Sequence, residues 1–335
     1  MRIGRAAGMA LGLVGLLAAP ASAQQKLTDV TMAVPAYSLT FVLGYLADDL
    51  GLWAKHGLNV KSVQIAGVGA MNAVIGGSAD VTQASAITLT RASARGQKVL
   101  AIVEALDRLV VEVVLRNDVA AAAGFDPKAP LAKRAQALKG RTIAVESINS
   151  IIHAYVRLLA KRGGFDPDEI RIAPMQPANM LAAFEAHQID GFAMSLPWPL
   201  EPVLKGEAVT IASGPAGDPP DMVPFAHNIV VVRPETCDKN PALCAGIGKS
   251  FVEADDFIQD HPANALALMQ KRFSTLDPKL LSTAFDEVRK VTPRPPVPTR
   301  QALENADIYN IDAGLMKPEE KLKSYDAIFT DKYVK

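Results

Sequence analysis

Cysteine, tryptophan and histidine are scarce in this chain, with two, two and five copies in 335 residues. Neither cysteine has a histidine at ligand spacing, so the residues supply no metal centre and no cysteine–histidine nucleophile. Charge of one sign is also lacking. Thirty-five basic residues balance 35 acidic ones, which argues against a nucleic-acid or anionic-membrane partner. No G-x-S-x-G, H-E-x-x-H or P-loop occurs, and no G-x-G-x-x-G opens a helix after a strand. The nearest miss is GVGAMNA at 67–73, which has glycines but no phosphate-binding lysine. No catalytic set and no cofactor are therefore expected.

Past the first residues, no segment reaches spanning length without charges. The start itself has three parts: basic Arg2 and Arg5, an apolar run from Met9 to Ala19, and the small-x-small site Ala21-Ser22-Ala23. That pattern predicts an export signal over 1–23, cleaved between Ala23 and Gln24, and a mature periplasmic protein with a net charge of about −2. The run is about 11 residues, too short for a membrane anchor. In an oxidising compartment Cys237 and Cys244, in TCDKNPALC, are candidates for a local disulfide worth about 2.5 kcal/mol. Two half-buried free thiols are the alternative, because six intervening residues do not fix the geometry.

What is present is a repeated unit. GVGAMNAVIGGSADVTQAS at 67–85 and MLAAFEAHQIDGFAMS at 180–195 each read as helix, polar turn, aspartate, short strand and serine. Setting Asp80 on Asp190 places Ala73 on Ala183, Val74 on Phe184 and Ser85 on Ser195. Two like units in a chain too long for one core suggest two lobes and a cleft. Around them strand and helix alternate, the pattern of an α/β parallel-type sheet. Leu39, Val42, Leu43, Leu46 and Leu50 have the spacing of a buried helical face. The β-branched run Leu109–Arg116 is the expected first crossing between lobes, and Ala208–Pro224, rich in proline and glycine, the second. The expected division is lobe 1 over 24–107, lobe 2 over 108–215, and a return to lobe 1 over 216–335 with helices at 241–260, 262–273, 277–290 and 300–314.

Ligands in open α/β sheets bind where strands end and helices begin. Four junctions fit. Tyr37 and Ser38 follow the opening strand, and Gly67–Met71, with Gly69 and Ala70, offers bare backbone at a helix N-terminus. Ser147, Asn149 and Ser150 precede a helix on the opposite lobe; simple capping would need only one of them. Ser85 and Ser195 each follow a strand, and Trp198 beside the second is either a cleft wall or a core plug. Arg108, next to Asp107 at the expected first crossing, can pair with an anion or with its neighbour.

QKLTDVTMAVPAY, DDLGLWAKHGLNVKSVQIAGVGAMNAVIGGSADVTQAS and LKGRTIAVESINSIIHAYVRLLAKRGGFDPDEIRIAPMQPANMLAAFEAHQIDGFAM, with the leader, resemble the periplasmic substrate-binding proteins of ABC importers. Within these the chain is similar to the group that covers aliphatic sulfonates, taurine, nitrate and thiamine-pyrimidine precursors. The resemblance runs over roughly residues 28–235. It implies a type II periplasmic-binding-protein fold, two α/β lobes joined by two crossover hinges, that closes on a small organic solute as a monomer and is read by membrane permease subunits. It places the pocket around Tyr37, Gly69, Ala70, Ser85, Ser147, Asn149, Ser150 and Ser195. Many relatives carry Trp-Glu-Pro where this chain has Ser195-Leu196-Pro197, which removes an acidic group. A sulfonate or similar organic anion is then favoured, because helix N-termini converge without an obvious carboxylate. The alternatives are a thiamine-pyrimidine-synthase-like enzyme, which would need a cysteine-rich motif absent here, and a periplasmic sensor subunit.

Overall fold

The computed structural model describes Met1 and residues 26–335; the leader and its expected cleavage after Ala23 lie outside the described residues. Four strands open the chain: β1 (Thr28–Val34), β2 (Leu58–Gln64), β3 (Val81–Ala84) and β4 (Leu100–Leu106). Five more follow: β5 (Val111–Arg116), β6 (Thr142–Val145), β7 (Arg171–Pro174), β8 (Gly191–Ser195) and β9 (Ala208–Ser213). The last is β10 (Asn228–Val232). They form two five-stranded sheets, β2-β1-β3-β10-β4 and β7-β6-β8-β5-β9. Each sheet has one antiparallel strand in its fourth place, β10 in the first and β5 in the second. Those two strands are the ones that arrive from the other lobe. Helices cover both faces of each sheet, so β8 and β10 are buried at every residue and read as continuous apolar runs rather than alternating ones.

The repeated aspartates now have a shared task. Asp80 Oδ2 accepts from the Thr31 amide at 2.9 Å, and Asp190 Oδ2 accepts from the Thr142 amide at 2.7 Å. In return the Asp80 and Asp190 amides donate to the carbonyls of Thr31 and Thr142. Each aspartate thus clamps the residue beside which its strand begins to pair, one step before Met32↔Val81 in the first sheet and Ile143↔Gly191 in the second. Register is set by the same device twice.

Both crossings are displaced from their expected places. Val111–Arg116 is a central strand of the second sheet, paired on both sides, and the chain passes between lobes in residues 107–110. Its β-branched residues are buried there between β8 and β9. Ala208–Ser213, expected within the second crossing, is edge strand β9, and the return runs through residues 214–227.

The expected C-terminal helices appear as Pro241–Asp260, Pro262–Arg272, Pro278–Arg289 and Arg300–Asp312. Proline stands at the start of the first three, and Asn240, Asp277 and Thr299 cap the first, third and fourth. The last of these helices is more than an appendage of one lobe. Tyr309 Oη donates to the Ile151 carbonyl at 3.1 Å on the second lobe, while Asn310 Nδ2 donates to the Ile87 carbonyl at 3.0 Å on the first. It bridges both.

Cys237 and Cys244 are disulfide-bonded, with Cα atoms 5.5 Å apart, and join the helix Pro234–Lys239 to Pro241–Asp260. For so small a loop the chain-entropy model gives about 2.5 kcal/mol. Reductant is expected to lower the melting temperature of the mature protein by several degrees in calorimetry. A Cys237→Ser/Cys244→Ser variant should already melt at the lower temperature and ignore reductant; a variant that melts like the parent would show that the bond contributes nothing.

Candidate functional site

Three helix N-termini and the end of β8 meet between the lobes. Ser38 precedes the turn Leu39–Phe41, Ser85 precedes the helix Ala86–Ala94, and Ser150 precedes the helix Ile151–Arg162. With Ser195 they wall a cavity of about 40 Å³, whose lining also includes Pro35, Gly67 and Ile152. A water needs about 10–15 Å³ of such space, so the closed cavity admits a compact polar group. Its polar atoms are unusually free. Ser38 Oγ and Thr40 Oγ1 are buried without a hydrogen-bond partner among the described residues, and a buried hydroxyl left unpaired costs about 1–3 kcal/mol. Ser150 Oγ accepts from the His153 amide at 3.2 Å, an N-cap bond, and the first-turn amides of Ile151 and Ile152 beside it lie ahead of the first intrahelical bond.

Two titratable groups complete the wall, and sequence reasoning passed over both as ligand contacts. His227 is buried, and its Nδ1 accepts from the Val110 amide at 2.8 Å. That bond leaves the ring proton on Nε2, and burial depresses the imidazole to about 3, so the ring is neutral at physiological pH. Glu146 follows β6 directly, the end of a strand where ligands bind, and lines the cavity without a hydrogen-bond partner among the described residues. Protein surrounds its side chain, and the partial exposure it retains fits the cavity it lines. Burial pushes its carboxyl up to about 8, so at neutral pH it is mostly protonated and carries an O–H that a ligand oxygen could accept. The expectation of a site without a carboxylate is therefore corrected. Its position at the end of a strand, one residue before Ser147, was the clue available in the sequence.

The other expected residues are distributed differently. Ser147 stands over Gly67 on the opposite lobe, where a Cβ on Gly67 would come 2.2 Å from Ser147 Oγ. Gly69 and Ala70 lie in the helix Gly69–Ile75 and do not line the cavity. Asn149, in the left-handed region at φ 62°, faces a neighbouring cavity instead. Tyr37 and Trp198 form a clasp beside the cavity. Trp198 Nε1 donates to the Tyr37 carbonyl at 2.8 Å, and the Leu39 amide donates to the Leu196 carbonyl at 3.0 Å, both across the lobes. The Tyr37 hydroxyl is used by the Arg272 carbonyl and its ring stacks on Phe273 at 4.5 Å. Arg108 is exposed, 4.0 Å from Asp107, and away from the cavity.

Two mixed α/β sheets, joined by two crossings with a cavity between them, match the periplasmic-binding-protein fold. The chain belongs to the NMT1-like family, whose model matches residues 23–271. A Brucella abortus protein named only as a binding protein is 26% identical over 257 residues, covering 74% of this chain and 72% of its own. Among solved structures, a protein of Bordetella bronchiseptica superposes with a TM-score of 0.78 at 19% identity, over 92% of this chain and 96% of its own. The alkanesulfonate-binding protein SsuA from Xanthomonas axonopodis pv. citri, bound to MOPS, gives 0.69 at 18% identity over 90% and 98%. The periplasmic nitrate-binding protein NrtA of Synechocystis gives 0.65 at 13% identity over 92% and 87%.

Proposed function

We propose that this chain is the periplasmic solute-binding component of an ABC import system. It takes a small organic anion, a sulfonate or a group of similar shape, between its lobes and presents the closed complex as a monomer to permease subunits in the inner membrane. The observation that carries the reading is a cavity walled by both lobes whose buried hydroxyls, Ser38 and Thr40, lack partners among the described residues. A ligand bearing acceptor oxygens would satisfy them. The remaining wall is suited to the same ligand: helix N-termini favour negative charge, and Glu146 and the His227 ring are both neutral donors.

Glu146 gives the test. A bound anion favours the protonated carboxyl, so binding and proton retention are coupled. Affinity should be full below pH 8 and fall by up to about tenfold per unit above it, as the group ionises. Calorimetric titration of the mature protein with methanesulfonate from pH 6 to 9.5 should show that fall, and Glu146→Gln should retain the affinity without the step. Affinity that rises with pH, or a Glu146→Gln variant that loses binding at every pH, would point to a cationic solute held by a charged Glu146 and would sink the anion reading.

A further inference from the structure

A second cavity, of about 310 Å³, adjoins the first and shares Thr88 with it. Its wall includes Asn72, Arg91, Arg95, Gln97 and Asn149. Arg91 lies in the helix Ala86–Ala94 and Arg95 caps that helix one turn later, so the two guanidinium groups share a face. Arg91 is only 8% exposed. It lines the second cavity and makes one side-chain hydrogen bond among the described residues, across the lobes from Nη2 to the Asn149 carbonyl at 2.7 Å. Among the described residues no carboxylate pairs with it, and the nearest charge acting on it is the like charge of Arg95. Burial and that neighbour lower Arg91 to about 10, which measures how poorly its charge is compensated. A buried cation without a counter-ion is costly, and a single bond to a carbonyl would be made as well by a neutral donor.

We propose that Arg91 and Arg95 form an oxyanion subsite, so that the solute carries two anionic groups, one in the central cavity and one at the arginines. The inference rests on the solute-binding reading above and narrows it to dianionic solutes. A guanidinium bonded only through Nη2 among the described residues presents the fork from which sulfonate, phosphate or carboxylate oxygens accept, and Arg95 adds a second, more exposed cation. The central cavity, at about 40 Å³, is much the smaller of the two and suits a compact oxyanion, and Thr88 lines both cavities.

Inorganic sulfate is the probe, followed by amide chemical shifts of the mature protein at low ionic strength. Two saturable sets of shifts are expected, one around Ile151 and Ile152 and one around Arg91, Arg95 and Asn149, with chloride at equal ionic strength producing neither. Arg95→Glu, at an exposed position with no interlobe bond, should weaken the second set roughly tenfold or more and leave the first in place. Ser38→Ala/Thr40→Val should do the reverse. Arg91→Gln should match Arg95→Glu, which separates anion binding from the bond to Asn149. The inference is overturned if sulfate produces no saturable shift at the arginines or if Arg95→Glu leaves that shift unchanged, even where the first set persists and the solute-binding reading stands. Arginine shifts without any at Ile151 and Ile152 would instead count against the central cavity and so against the dianion.

Discussion

Gly67→Ala is expected to weaken solute capture by roughly ten- to a hundredfold while leaving the fold intact. Gly67 has φ +53°, and the Cβ it lacks would stand 2.2 Å from Ser147 Oγ and 2.7 Å from Ser147 Cβ. The second distance is decisive, because a hydroxyl can rotate away but a Cβ moves only with its backbone. The two residues lie on opposite lobes, so the clash acts on the closed form and hardly on the open one. Overpacking of this kind costs about 1–3 kcal/mol, which is the expected loss of affinity. The left-handed backbone adds about 1–2 kcal/mol of strain that both forms share and that shows in the melt rather than in binding. Titration of Gly67→Ala beside Gly67→Ala/Ser147→Gly checks this. Removing the Ser147 side chain should restore most of the affinity; a double variant as weak as the single one would mean the lobes do not approach at this point.

The largest loss of stability is expected from Gly191→Val, about 3 kcal/mol or more, with a melting temperature lower by about 5 °C or more. Gly191 opens β8 immediately after Asp190, and a Cβ there would lie 2.1 Å from the Val114 carbonyl oxygen and 2.6 Å from Leu115 Cδ2. Backbone of the paired strand β5 cannot yield without breaking the ladder that joins Leu115 to Gly191. The equivalent position of the first lobe holds Val81, beside Val232 of β10, and tolerates its side chain. The two units repeat a pattern but not a packing environment. Denaturant unfolding of Gly191→Val within about 0.5 kcal/mol of the parent would show that the second sheet relaxes more readily than its burial suggests.

That contrast also separates what was legible in the chain from what was not. The strand–helix alternation, the doubled unit and the serines at strand ends could be read directly, because each follows from local periodicity or turn chemistry within about 20 residues. The crossings were misplaced because a buried central strand and an apolar linker have the same composition, and only pairing with β8 and β9 tells them apart. The C-terminal helices were recognised as helices, yet the bridging role of Tyr309 and Asn310 depends on partners about 160 and 220 residues away.

The sequence by itself determined two like α/β units, the aspartates they share, Ser38, Ser85 and Ser150 ahead of helical turns, and Ser195 at the end of a strand, since short-range spacing decides all of these. Only the tertiary structure decided which of those mouths face one another. It turned Tyr37 and Trp198 into a clasp, put Glu146 and His227 in the cavity wall, and left Arg91 bonded to the Asn149 carbonyl with no carboxylate paired to it among the described residues. The reason is physical: hydrogen bonding between lobes and the loss of water around a side chain are set by distances across the fold, which spacing along the chain does not contain.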